Sequence, residues 1–244
     1  MTKDIVRAAF IIIGDEILSG RTQDANLNFL ALELTEMGIS LKEVRVVPDI
    51  EEEIILALNH LRKKFDYIFT SGGIGPTHDD ITALSIAKAF KEELILNEQG
   101  VEILTHHYGK ENLNEARLKM AYTPKNAKLL DNPVSSAPGF RIENVFVMAG
   151  VPRIFKAMFF AAKKELIGGK KVKSNEIKTI LTESMIAKEL TDLQNKYHQI
   201  TIGSYPFDGG TSLVFRGINY DDVDRACNEM SKIINQIKPN SVIS

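Results

Sequence analysis

The residues best equipped for chemistry sit in one short run, "FTSGGIGPTHDDIT", from Phe69 to Thr82. An apolar stretch gives way to Ser71, Gly72, Gly73, Ile74, Gly75, Pro76 and Thr77, and two carboxylates, Asp79 and Asp80, follow at once. Glycines at 72, 73 and 75 let the backbone come close to a ligand and aim several N–H groups at one point. A helix starting near Asp80 would add its positive N-terminal end, so the loop reads as an anion site. It is not a Walker A loop, because no Gly-Lys-Ser/Thr follows, and it lacks the third glycine of a dinucleotide fingerprint. The alternative is a plain strand-to-helix turn with Asp79 or Asp80 as N-cap.

Two carboxylates beside a phosphate repel it strongly in a poorly solvated cleft. Either they cap the helix and point away, or they hold a divalent cation that bridges to phosphate oxygens, as hard oxygen ligands do for magnesium or manganese. The second arrangement makes metal-assisted hydrolysis available. Asp15 and Glu16, in the loop "GDEILSG" that opens at Gly14, can bring further carboxylates, or can simply be a polar turn. His78 is a lone loop histidine. His106 and His107 are adjacent on a predicted helix and so face different ways. Cys227 falls in a helical apolar stripe with Val223, Met230 and Ile234 and reads as packing. The lysines between Lys163 and Lys173 read as a solvated face, and no Ser-His-Asp or HExxH pattern is present.

Elements that alternate in type must position these loops. Arg7–Ile13 is an apolar, β-rich run. From Asp24 apolar residues recur at helical spacing to Met37, and Gly38 closes the stripe. A strand over "ISLKEVRVV" leads to a helix from Asp49, with Glu52 as a capping-box partner. "DYIFTS" is a strand, and helical patterns follow over about 80–90, 98–108 and 112–121. Short strands and loops then lead to an amphipathic helix over 151–166. Strand–helix alternation predicts a three-layer α/β/α sandwich with a mostly parallel sheet over residues 1–168. The basic, polar "GGKKVKSNE" reads as a linker or a long surface loop. Beyond it, 175–244 predicts a small α+β unit of βαββα order. In an open α/β sheet ligands sit beyond the carboxyl ends of the strands, which is where "GDEILSG", "SGGIGPTHDD" and "MAGVP" emerge.

The chain has 244 residues, is 44% hydrophobic and carries a formal net charge of −2. That composition fits a folded protein and gives no sign of nucleic acid or a membrane as partner. The N-terminal apolar run is too short to span a bilayer and is broken by Asp4 and Arg7. One cysteine excludes an internal disulfide framework, and a cytoplasmic protein is expected.

Taken together, "GDEILSGRTQDANLNFLALELTEMGI", "SGGIGPTHDDIT", "NPVSSAPGF" and "MAGVPRIFKAMF" resemble the MoaB/Mog molybdopterin-binding-like family. The closer likeness is to the branch formed by the N-terminal domains of CinA (competence/damage-inducible protein A) and of eukaryotic FAD synthase. The likeness runs from about residue 5 to 167, and the tail with "IGSYP" looks like the small KH-type domain that follows in those proteins. No GxxG lies between two helices there, so RNA binding is not carried over.

The resemblance implies a dimer or trimer and a small nucleotide or pterin ligand. The Mog branch binds molybdopterin; the CinA-like branch is described as hydrolysing the pyrophosphate of ADP-ribose or FAD with a divalent ion (magnesium, manganese or cobalt). By position it implies phosphate contacts from Gly14, Asp15 and residues 71–77, and metal contacts from Asp79, Asp80 and Asp15. Asn114 and Lys119 fall near that branch's Asn-x-Lys-type helix. Gly150, Pro152 and Lys156 match its last loop and helix, with Ala149 in place of the usual proline. His78 stands where a lysine is common. Asp79, Asp80, Lys119 and Lys156 are thus the expected catalytic set. Neither the deamidase activity of full CinA nor FAD synthesis is expected, since no matching domain is present.

Overall fold

The structure is a computed structural model that describes residues 3–243. These residues fall into two compact units divided between Gly169 and Lys170. The first unit opens with β1 (Val6–Ile13), α1 (Asp15–Leu18), α2 (Asn26–Glu36), β2 (Ile39–Val47), α3 (Glu51–Leu61) and β3 (Tyr67–Ser71). It continues with α4 (Thr82–Phe90), β4 (Leu94–Leu96), α5 (Glu98–Tyr108), α6 (Glu115–Lys119) and β5 (Tyr122–Pro124), and ends with β6 (Lys128–Leu130), β7 (Gly139–Ile142), β8 (Val145–Met148) and α7 (Pro152–Lys163).

Six strands form one sheet in the order β2-β1-β3-β8-β7-β6. The first four run parallel, and β7 and β6 turn back antiparallel. β1 lies near the middle and is buried on both faces at all but one of its positions, which is why it reads as a continuous apolar run rather than an alternating one. One face packs under α2 and α7, through Leu30, Leu34, Phe155, Met158 and Phe159. The other packs under α3 and α4, through Ile54, Leu58, Leu61 and Ile86. This is the expected three-layer α/β/α sandwich.

The helix that follows β1 and the helix that follows β3 lie on opposite faces, although the two strands are neighbours. Their carboxyl ends therefore flank a topological switch point, where loops part and leave a crevice. Two elements differ from the sequence expectation here. α3 begins at Glu51 with Ile50 as N-cap and no side-chain cap, because the Asp49 carboxylate instead accepts the Asp15 N–H at 3.0 Å; the capping box with Glu52 does not form. α4 begins at Thr82, two residues later than predicted, because Asp80 is taken up inside the loop. β4 and β5 form a separate antiparallel ribbon that strand patterns of three residues are too short to announce.

The second unit comprises β9 (Lys173–Thr179), α8 (Glu183–Lys196), β10 (Thr201–Phe207), β11 (Gly210–Gly217) and α9 (Tyr220–Ile237). Its antiparallel sheet runs β10-β11-β9, and its core joins Ile177, Ile186, Leu213, Phe215, Met230 and Ile234. Burial, with Asp224 adding to it, pushes the Cys227 thiol upward, so it stays protonated and serves as packing. Among the described residues no helix is long and apolar enough to cross a membrane.

Candidate functional site

A cleft of about 590 Å³ opens at the switch point. The loops after β1, β2, β3 and β8 all reach it, since parallel pairing sets Ile13 beside Val47, Ile12 beside Ser71, and Ser71 beside Met148. On one side stands the glycine loop. Gly72 has φ +106°, and a Cβ there would lie 2.1 Å from the Ile13 carbonyl oxygen; Gly73 has φ +67°, and its Cβ would meet the Thr82 hydroxyl at 2.1 Å. Both positions demand glycine for conformation and for space. Gly150 crosses close by, its Cβ position 3.3 Å from the Gly72 Cα.

The loop is fixed by its own bonds. Thr82 donates its N–H to the Gly73 carbonyl and its hydroxyl to the Gly72 carbonyl. Asp80 Oδ2 accepts the Thr77 N–H at 2.8 Å and the Thr77 hydroxyl at 2.5 Å. Lys119 donates from its ammonium to the Thr77 carbonyl. The N–H groups of Gly73, Ile74 and Gly75 take no backbone acceptor among the described residues. Three free donors in consecutive residues beside a cleft form a cradle for an anion.

Four carboxylates line the same cleft: Glu16 and Asp49 from the segments after β1 and β2, and Asp79 and Asp80 from the exit of the glycine loop itself. Burial raises the Asp49 carboxyl above its ordinary value, and Asp15, Glu16 and Asp79 add like charge in the same direction, against the Asp15 N–H that lowers it. Asp79 is exposed and shifted the other way, lowered first by the Thr77 side chain beside it, although that hydroxyl's hydrogen bond goes to Asp80, then by its own N–H, with Lys119 adding positive charge.

The residues singled out in the sequence divide accordingly. Gly14, Gly72, Gly73, Ile74, Gly75, Pro76, Asp79, Asp80, Gly150 and Pro152 come together on the cleft wall. Asp15 starts α1 and hands its N–H to Asp49. Ser71 is buried behind the wall, where its hydroxyl receives the Asn26 amide. Thr77 braces Asp80. Asn114 caps α6 by accepting the Arg117 N–H. Lys119 holds Thr77 instead of standing over the cleft, and the Lys156 ammonium lies 5.3 Å from the Phe29 ring centroid. The two lysines of the expected catalytic set thus contact a carbonyl and an aromatic face.

Two residues of the site escape sequence reading. Asp49 follows β2, and only the pairing of β2 with β1 brings it to Glu16. Asn26, the first residue of α2, is 2% exposed. Its amide donates both to Ser71 Oγ at 2.9 Å and to the Gly150 carbonyl at 2.8 Å, tying the loop after β3 to the loop after β8. Its Oδ1 is buried with no partner. The clue available was a polar side chain inside an otherwise apolar helical stripe.

Comparison with known proteins follows the same division. A family model described as a probable molybdopterin binding domain matches residues 9–167. Another, described as the FAD synthase middle domain, matches residues 171–242. A protein of Pyrococcus abyssi is 38% identical over 216 residues, covering 82% of this chain and 85% of its own. A Clostridium botulinum relative bearing the name competence-damage inducible protein is 31% identical over 218 residues, which take in 85% of this chain and 53% of that protein. Among solved structures, the protein CinA of Thermoplasma acidophilum, of unknown function, is similar with a TM-score of 0.63 and 34% identity over 67% of this chain and 99% of that one.

Proposed function

The chain belongs to the family of probable molybdopterin binding domains, on the branch of the CinA-like proteins, and from that membership we propose that it hydrolyses the pyrophosphate bond of an ADP-containing dinucleotide, such as ADP-ribose or FAD, with a divalent metal. The observation that carries this reading is that Gly72, Gly73 and Gly75 line one cleft together with Glu16, Asp49, Asp79 and Asp80. Unpaired amides attract a phosphate, and the carboxylates repel it unless a cation stands between them.

Whether the residues suit such an ion turns on their donors. Among the described residues, no three of His, Cys, Asp and Glu are grouped to hold a metal by themselves. The rim nevertheless offers only carboxylate oxygens, the hard ligands magnesium and manganese prefer, and magnesium commonly takes one or two carboxylates and completes its shell with water and substrate phosphate. The set therefore fits an ion that would arrive with the diphosphate and be held by Asp79 and Asp80; Asp15, the third expected ligand, does not line the cleft and reaches it only through its N–H to Asp49. When bound, the ion supplies charge neutralisation and Lewis acidity toward a phosphoryl oxygen.

The protein's own residues do the rest. The N–H groups of Gly73, Ile74 and Gly75 hold one phosphate and orient the bond to be broken. Asp49, whose carboxyl is raised by burial and by its acidic neighbours, accepts a proton from water attacking in line. A cytoplasmic homo-oligomer, dimer or trimer, completes the proposal.

Release of AMP from ADP-ribose and FAD, assayed with manganese, magnesium and cobalt, tests it. Turnover by the wild-type chain should fall roughly a hundredfold or more in Asp80→Ala, the scale of losing a charged group from the reacting site. Failure to cleave any dinucleotide with any of the three ions removes the hydrolase reading. A second reading, a molybdopterin-type pterin-binding protein without hydrolysis, is favoured by one observation: Lys119 and Lys156 are engaged elsewhere, which leaves no lysine over the leaving phosphate. Calorimetric titration with molybdopterin and with ADP-ribose separates the two.

A further inference from the structure

Behind the glycine loop lies a second hollow, of about 360 Å³. Gly73, Ile74, Gly75, Asp80 and Met120 line both it and the cleft, so the partition between the two spaces is the loop itself. At positions 73 and 75 that partition carries no side chain. The far wall is of different chemistry: Ile81, Leu84, Leu94, Tyr122, Pro138 and Phe140.

Two of these residues are poorly placed for a surface without an occupant. Leu84 is 38% exposed and Tyr122 is 39% exposed, and both face the hollow at the point where α4 meets the β4–β5 ribbon. Single exposed apolar residues need no explanation, but a concave group of them beside convergent polar atoms has the make-up of a ligand pocket. The Tyr122 hydroxyl has no hydrogen-bond partner among the described residues, and Asp80 and Lys119 stand at the rim. Lys119 also ties the crest of the loop to α6 through the Thr77 carbonyl.

We propose that this hollow is the subsite for the flat nitrogen heterocycle of the ligand, so that a nucleotide or pterin straddles the glycine loop with its ring on the apolar side and its phosphates on the amide side. The inference rests on the reading of the cleft as a phosphate site. It adds the part of the ligand that the carboxylates and amides cannot recognise. Aromatic and aliphatic walls take a ring by stacking and desolvation. The Tyr122 hydroxyl, on the hollow's wall, can pair with a ring-edge nitrogen or exocyclic group. Phosphate-free rings should therefore bind weakly but measurably, and ring-free phosphates should bind without help from Tyr122.

Saturation-transfer NMR and calorimetry on the full chain, in manganese-free and manganese buffers, decide the matter with four probes. These are adenosine and 6-hydroxymethylpterin (ring without phosphate), ribose 5-phosphate (phosphate without ring) and ADP-ribose (both). The variants Tyr122→Ala and Leu84→Arg change exposed positions and should keep the wild-type melting curve. Saturable binding of at least one free ring, weakened about tenfold in both variants with ribose 5-phosphate unchanged, is the expected result; tenfold is the scale of losing one stacking aromatic. If neither ring binds, or if ring and ring-free phosphate weaken together, the subsite is wrong. If rings bind as expected but ADP-ribose is never cleaved, the subsite stands and the hydrolase reading fails.

Discussion

The glycine loop after β3 and the acidic rim beside it enclose the same cleft by opposite means. On the loop side the wall is backbone. Gly72 sits against the Ile13 carbonyl, Gly73 against the Thr82 side chain and Gly150 against Gly72, and the shape follows from how closely main chains can approach. On the rim side the wall is charge: Glu16 and Asp49 come from two other loops, and Asp79 stands on the glycine loop's own exit. Backbone contacts cannot yield, so substitutions in the first wall should act mainly through folding. Solvated carboxylates can be replaced at little structural cost, so substitutions in the second should act mainly through ligand and ion.

The hardest test of that contrast is Gly72→Ala. The added methyl would need a position 2.1 Å from the Ile13 carbonyl oxygen on a residue at φ +106°, and neither the central strand nor the loop has room to move. We expect a loss of about 3 kcal/mol or more, read by urea denaturation, together with loss of ligand binding. Gly20→Ala is the control. Gly20 also has positive φ, +73°, but nothing lies within 4 Å of its Cβ position, so the cost should be only about 1 kcal/mol of backbone strain. Equal costs at the two positions would mean that φ, and not the close approach to β1, governs the loop.

Next in size is Asn26→Leu. The leucine fits an apolar helix face but leaves the Ser71 hydroxyl and the Gly150 carbonyl, both now bonded to the Asn26 amide, without that donor. Stranding buried polar groups costs about 1–3 kcal/mol. Because the lost bonds join two loops of the cleft, ligand affinity should fall along with stability, and Asn26→Asp should not restore either, since a carboxylate cannot donate to the carbonyl. A variant that loses stability while keeping wild-type affinity would make Asn26 part of the core alone.

What the sequence revealed of this site also follows the division between backbone and charge. Glycines at 72, 73 and 75 after an apolar run are a local signal, and so is the helix over Glu98–Tyr108, whose bounds agree with the apolar spacing. Asp49 had no local signal. It stands 33 positions after Glu16 in the chain and reads as a helix cap, until the register of β1 on β2 sets Ile13 beside Val47. The fates of Lys119 and Lys156 were equally hidden, because a lysine's long side chain reaches several partners and only the fold selects the Thr77 carbonyl or the Phe29 ring. Asp80 lay between these extremes. Its nearness to the glycines was plain, but its bonds to Thr77 depend on a loop conformation that spacing does not encode.

The smallest effect on stability should come from Asp49→Asn, and it should have the opposite sign to the substitutions at Gly72, Gly20 and Asn26. The asparagine Oδ1 can still accept the Asp15 N–H, so the hydrogen bond at 3.0 Å survives and only charge is lost. Burial, then the Asp15, Glu16 and Asp79 charges, hold the wild-type carboxyl above its value of 3.8 in the unfolded chain. For a carboxyl raised in this way the folded state binds the proton more tightly than the unfolded state. Stability therefore falls as pH rises from about 3.8 through the folded value, and stays lowered above it. At pH 7 Asp49→Asn should melt higher than wild type, by roughly 1–3 °C given the group's partial exposure. The difference should shrink through mildly acid pH and disappear below the unfolded value. Manganese with ADP-ribose should narrow the gap, because a cation held by Asp79 and Asp80 would offset the like charge that the Asp49 carboxylate feels from Asp79. If the variant melts lower than wild type at neutral pH, Asp49 is a structural anchor for α1, and the rim's like charges are not the strain from which a cation would relieve it.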